Sequence, residues 1–186
     1  MTPKNAVSQL QRLAVEKGAN STKLIAVEDI SVEDWVRQKC EYGCTGYARH
    51  FTCPPYSPTP EETRKRLQGY RQALLVEFTR MGEKEDQSAV YQVMYELERA
   101  AFLSGFYKAF SYSSGPCRIC RSCKAEEVRS PSEYSKRECR DKKRARPSME
   151  ACGIDVYQTA RKAGYKIDVV KEEGDFFHTF GLLLIK

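Results

Sequence analysis

Apolar positions recur at helical spacing over residues 3–18, where Val7, Leu10, Leu13 and Ala14 share one face and Gly18 offers a stop. Lys23 to Ile30 (KLIAVEDI) predicts a strand, and Ser31 with Asp34 three residues later predicts a capped short helix carrying Trp35 and Val36 toward Cys40. Residues 40–58 are rich in Gly, Pro and Tyr and are expected to form an irregular loop. Thr59-Pro60-Glu61-Glu62 supplies an N-cap, a proline at the first helical position and an acid at the third, which predicts a helix to about Gln68. Ala73 to Phe78 (ALLVEF) reads as a buried strand. From Asp86 to Ser104, Val90, Met94, Leu97 and Ala101 make one apolar stripe, the mark of a core helix.

Tyr107 to Tyr112 alternates like a strand, and Ser148 can cap a helix running through Val156 and Ala160 to Gly164. Two closing strands, Lys166 to Lys171 and Phe177 to Ile185, are expected to form a hairpin about Glu172-Glu173-Gly174-Asp175. The order of elements predicts an α+β (or α/β) fold. Its mixed sheet has about five strands with helices packed on it, in a single domain over residues 1–186. Two cysteine-rich loops, 40–58 and 115–147, interrupt the pattern and are the expected metal-binding segments.

Composition sharpens this picture. The chain is 41% hydrophobic and 30% charged, which suits a soluble globule, and no apolar run reaches the ~20 residues a bilayer span needs. The start, MTPKNAVSQLQRLAVEKG, has no apolar core of a secretory signal, so a cytoplasmic location is expected. In that compartment thiols stay reduced, and eight clustered cysteines read as metal ligands rather than disulfides. The net charge of +6 is too moderate to argue for nucleic acid. It is uneven, however: Lys136, Arg137, Arg140, Lys142, Lys143, Arg144 and Arg146 crowd around Cys139, as a solvated loop or a functional basic surface.

Cys117, Cys120 and Cys123 stand at C-x2-C-x2-C spacing. Such a run can curl around a cubane with each thiolate on a different iron, and Cys139 is the nearest candidate for the fourth ligand. Arg118, Arg121, Lys124, Arg137 and Arg140 would offset the negative charge of such a cluster. Zinc is the alternative, but structural zinc prefers two separated pairs of ligands. The second constellation is Cys40, Cys44 and Cys53. Three local thiolates would leave one iron of a [4Fe–4S] cluster open to Cys152, His50, water or a substrate. Cys152 is a candidate additional ligand, yet it lies in register with Met149, Val156 and Ala160, as a core cysteine would. Tyr42, Tyr47 and Tyr56 read as packing lids over the first loop. The chain has no P-loop, no dinucleotide-binding glycine motif and no G-x-S-x-G elbow.

Two stretches carry a family resemblance. Trp35-Val-Arg-Gln-Lys-Cys-Glu-Tyr-Gly-Cys44 with Cys53-Pro-Pro-Tyr-Ser-Pro-Thr-Pro-Glu-Glu-Thr63 closely resembles the domain of unknown function 2284. Cys139-Arg140 and Ala145-Arg-Pro-Ser-Met-Glu-Ala-Cys-Gly-Ile-Asp-Val156 resemble the second signature of the same family. The resemblance implies metal binding through Cys40, Cys44, Cys53, Cys117, Cys120, Cys123 and Cys139, without naming a reaction. The expected role is electron transfer or redox through one or two [4Fe–4S] clusters, working with a redox partner protein. The alternatives are an enzyme that uses an open iron at Cys40/Cys44/Cys53, or a structural or regulatory zinc module.

Overall fold

The computed structural model describes residues 3–81, 84–127, 138–172 and 177–186. Helix α1 (Pro3–Glu16) leads into strand β1 (Ser21–Ala26), followed by α2 (Asp34–Gly43), α3 (Pro60–Leu67), β2 (Gln72–Met81), α4 (Lys84–Leu103), β3 (Phe110–Tyr112), α5 (Val156–Lys162) and β4 (Phe177–Leu184). The strands form one antiparallel sheet in the order β1-β2-β4-β3. The α+β expectation holds, with four strands that are all antiparallel.

The central strands explain the unbroken apolar runs. Ala73, Leu74, Leu75 and Val76 are all 0% exposed, so both faces of the sheet are covered. On one face Leu74, Val76, Phe78, Leu183 and Ile185 meet Leu10 and Ala14 of α1 and Val90, Met94 and Leu97 of α4. Gly181 lets α4 approach closely, because a Cβ there would overlap the Met94 side chain. On the other face Ala73, Leu75, Phe180, Leu182 and Leu184 pack against Met149, Cys152, Ile154 and Ala160. The cysteine regions belong to this second layer.

Three expectations change. Residues 166–171 do not form a strand. Both edges of β4 are already paired, with β2 and β3, and Val169 and Val170 face solvent. The expected turn lies largely outside the described residues, which stop at Glu172 and resume at Phe177. Ser31 does not cap α2: its N–H donates to Thr159 Oγ1 (3.1 Å), and the N–H of the real N-cap residue, Glu33, donates to the Gly153 carbonyl (2.8 Å). The expected helix from Ser148 to Gly164 is broken. A 3-10 turn (Glu150–Cys152) ends at Gly153 in the left-handed region (φ +79°), and Asp155 then caps α5 by accepting the Gln158 N–H (2.9 Å). The Thr59 capping box is present as expected, with Thr59 and Glu62 bonded reciprocally at 2.8 and 3.2 Å.

Among the described residues, no helix is long and apolar enough to cross a membrane.

Candidate metal centres

The eight cysteines are all free thiols and fall into two groups plus one outlier. Cys40, Cys44 and Cys53 line a cavity of about 450 Å³, together with Trp35, Tyr47 and Glu150. Cys117, Cys120, Cys123 and Cys139, all half-buried, line a second, small one of about 20 Å³, together with His50. Cys152 lines neither. It is 0% exposed in the apolar cluster with Met149, Ile154 and Ala160, the core position its register suggested, although a 3-10 turn rather than a helix face delivers it there.

In the first group, Cys40 does not open a loop as expected. Helix α2 continues through it to Gly43, and Cys44 follows as the C-cap residue. Arg37, one turn earlier, fixes this end of α2. Its guanidinium donates to the carbonyls of Pro58 (2.7 Å) and Ala151 (2.9 Å) and to Ser57 Oγ (3.2 Å). Ser57 Oγ in turn donates to the Ala151 carbonyl (2.7 Å), so the loop is stitched to the 3-10 turn beneath it. Successive turns fold the loop itself: Ala48 N–H reaches the Pro54 carbonyl (2.8 Å) and Cys53 N–H the His50 carbonyl (2.9 Å). The path brings His50 into the lining of the second cavity, while its ring stays near Cys44 of the first group, each 3.6 Å or less from where a Gly46 Cβ would stand. Tyr47 lines the first cavity, and Tyr56 stacks edge-on against Phe51 (5.5 Å). Tyr42 is 84% exposed and lids nothing.

The second group is drawn together from its base. Ser113 N–H bonds the Pro147 carbonyl (2.9 Å) and Met149 N–H the Ser113 carbonyl (3.1 Å), closing the excursion between them. The buried Tyr91 hydroxyl on α4 donates to the carbonyls of Gly115 (3.2 Å) and Arg146 (3.1 Å), pinning both ends. Arg146 pairs with Glu98 (Nε to Oε2, 2.8 Å), and Glu98 also accepts from Ser111 N–H and Oγ (2.7 Å each). Arg140 donates to the Ser122 carbonyl (2.7 Å) and so brings Cys139 to the Cys120–Cys123 run.

These contacts also reassign the basic cluster. Arg140, Arg144 and Arg146 pair with Glu127, Asp141 and Glu98, which leaves Lys142 and Lys143 as the described cations of the cluster outside those pairs. Lys136 and Arg137 lie outside the described residues.

Burial sets the chemistry of the thiols. It pushes Cys53 up to about 12, with Cys44 adding to the effect, and Cys40 up to about 11, with Glu150 and Cys44 adding. Cys117 is pushed up to about 11 and Cys139 is raised as well, each mainly by burial. These four thiols stay protonated at neutral pH and are poor nucleophiles unaided, so nothing in the arrangement favours them for thiol catalysis. It suits metal binding, in which the metal displaces the protons.

Backbone donors face several of the sulfurs. Cys44 Sγ accepts the Gly46 N–H (3.4 Å), Cys117 accepts from Ile119, and Cys139 accepts from Asp141. In each case the donor is two residues on, and such bonds stabilise thiolate charge in metal–sulfur sites. The two groups are neighbours. A Cβ on Gly46 would stand 3.2 Å from Pro116 Cβ, and Cys117 contributes to the rise at Cys53. Among the described residues, no three His, Cys, Asp or Glu side chains converge on a point that would hold a single ion.

Glu150 is the residue that sequence reasoning missed. It sits in the second resembling stretch as one acid among 25, and its place in the cavity lining comes from the 3-10 turn that ends at Gly153, which no spacing announces.

No curated protein and no solved structure matches the chain. The family model described as predicted metal-binding protein, DUF2284, matches residues 23–185 and takes in all eight cysteines. Together with those cysteines it supports a metal cofactor, and the chain belongs to the DUF2284 family of predicted metal-binding proteins.

Proposed function

We propose that the protein is an electron-transfer or redox protein carrying iron–sulfur centres. A [4Fe–4S] cluster is held by Cys117, Cys120, Cys123 and Cys139, and a second centre by Cys40, Cys44 and Cys53. The observation that carries this reading is the shared pocket of the four later cysteines, with backbone N–H groups directed at Cys117 and Cys139. Iron–sulfur is favoured over zinc by spacing. A tetrahedral zinc with bonds of ~2.3 Å needs its sulfurs about 3.8 Å apart. A cubane holds its thiolates further apart because each binds a different iron, and the C-x2-C-x2-C run of Cys117, Cys120 and Cys123 suits that arrangement. When bound, such a cluster supplies one-electron chemistry. The chain's own part is to exclude water, fix the thiolates and stabilise their charge through backbone donors.

The cavity beside Cys40, Cys44 and Cys53 favours a second reading, an enzyme whose substrate meets an incompletely thiolate-ligated iron. A volume of about 450 Å³ falls in the range of small-molecule pockets.

Anaerobic purification with iron, sulfide and zinc analysis tests the proposal. Two cubanes give about eight irons and eight sulfides per chain, one cubane about four of each. Reversible loss of visible absorbance on reduction is expected. Zinc without iron would refute the proposal.

A further inference from the structure

We propose that Glu150 is the fourth ligand of the Cys40/Cys44/Cys53 centre, its Oε2 supplying an oxygen donor to the iron that the three thiolates leave open. The inference rests on the reading that these cysteines hold an iron–sulfur cluster. Glu150 Oε2 is sealed from solvent and has no hydrogen-bond partner among the described residues. The same carboxyl group is held in place by the Ser148 hydroxyl and by the N–H groups of Gly115 and of Glu150 itself. Glu150 lines the same cavity as the three cysteines, and its backbone carbonyl oxygen lies 4.0 Å from Cys40 Sγ.

A buried carboxyl oxygen with no partner is costly, and a cation beside it removes that cost. Protein cations do not serve. Arg37 directs its Nη1 to Pro58, Ser57 and Ala151, and no ion pair among the described residues includes Glu150. The rival for the fourth position, Cys152, faces the apolar core. An iron bound by oxygen is harder and more exchangeable than its thiolate-bound neighbours, so this is the iron that a small molecule in the cavity would meet.

The test is Mössbauer spectroscopy and iron counting on full-length protein reconstituted anaerobically with iron-57 and sulfide. Wild type is expected to bind about eight irons, one of them with the higher isomer shift of an oxygen-ligated site. Glu150→Gln is expected to lose that signal and about one iron per chain, roughly a quarter of one cubane. Glu150→Cys is expected to keep the iron count and lose the oxygen-ligated signal, which separates a ligand change from misfolding. An unchanged spectrum and count in Glu150→Gln would overturn the inference while leaving the two-centre reading intact. About four irons in wild type, unaffected by Cys40→Ser, would overturn both.

Discussion

Gly153→Ala is the most informative single change in the scaffold, because its cost divides into two parts that a matched control separates. Gly153 holds φ at +79°, and an added Cβ would lie 2.7 Å from Pro60 Cγ, 3.0 Å from Pro60 Cβ and 3.3 Å from the Glu33 carbonyl oxygen. Gly164 holds nearly the same angle, +77°, but there the nearest atom is Lys23 Nζ at 3.4 Å, the far end of a flexible side chain that bonds the Ala163 and Gly164 carbonyls (2.9 Å each) and can shift by a few tenths of an ångström. An alanine in the left-handed region costs about 1–2 kcal/mol, offset by about 0.4–1 kcal/mol from the stiffer unfolded chain. Gly164→Ala should therefore lose about 1 kcal/mol. At Gly153 the overlap falls on a proline ring locked at the first position of α3 by the Thr59 capping box, so it cannot rotate away. Overpacking of that kind adds about 1–3 kcal/mol, for a total of about 2–4 kcal/mol.

Urea denaturation of the two variants and wild type, at matched metal content, reads the difference. With a slope of about 2 kcal/mol/M, the Gly153→Ala midpoint should fall about 0.5–1.5 M below that of Gly164→Ala. The same change should loosen metal at Cys40/Cys44/Cys53, since the Gly153 carbonyl anchors the first turn of α2 and Cys40 lies in the last. Equal midpoints for the two variants would refute the claim that the Gly153–Pro60 contact fixes this layer.

Glu98→Ala should lose about 2–4 kcal/mol of stability in urea denaturation, because both partners of the Arg146–Glu98 pair are mostly buried (18% and 15% exposed) and the guanidinium is left without its carboxylate. A double-mutant cycle with Arg146→Ala should return a coupling of at least ~0.5 kcal/mol. Cys152→Ala should cost about 1–2 kcal/mol and leave the iron count unchanged; a fall in iron would make it a ligand. The metal-free protein should lose stability as pH rises from 9 toward 11–12. The folded state keeps its protons on Cys40 and Cys117 (about 11) and on Cys53 and Cys152 (about 12), whereas the unfolded chain releases them near 9.0. That contribution is complete below pH 9 and is lost above it. Urea midpoints that do not fall between pH 8.5 and 11 would show these thiols to be less enclosed than the structure places them.

The parts of the fold that could be read from the sequence are those where one local rule acts alone. The stripe Val90, Met94, Leu97 and Ala101 needs only helical period, and Thr59-Pro60-Glu61-Glu62 needs only capping chemistry. Residues 166–171 misled because alternation supplies a strand's pattern without a partner edge, and pairing across β2, β4 and β3 is a property of the whole sheet. The helix expected from Ser148 failed for a similar reason. Its apolar spacing is right, but Gly153 breaks it where Pro60 and Glu33 crowd in from distant parts of the chain. Cysteine spacing divides the thiols into the same two sets that line the two cavities. The placement of His50 and Glu150 depended on loop paths set by Arg37, Tyr91 and Arg146, whose partners lie 20 to 114 residues away.

That dependence has a consequence for how the molecule folds. One face of the sheet is closed by α1 and the 20-residue α4 through an apolar cluster that needs nothing but the chain. The other face carries α2, α3 and α5, of 10, 8 and 7 residues, below the ~12–15 at which an isolated helix becomes stable. Arginine, tyrosine and backbone ties hold the cysteine segments in place, and burial raises several of their thiols well above the ordinary value. Phe51 and Cys53 bury part of the first segment, and on the reading proposed above metal–thiolate bonds formed at the expense of those protons offset more of the ordering entropy. Removing metal should therefore raise amide exchange in residues 40–58 and 115–127 first, while the α4 and β2 amides stay protected. Uniform loss of protection across both faces would show instead that the two layers fold as one unit.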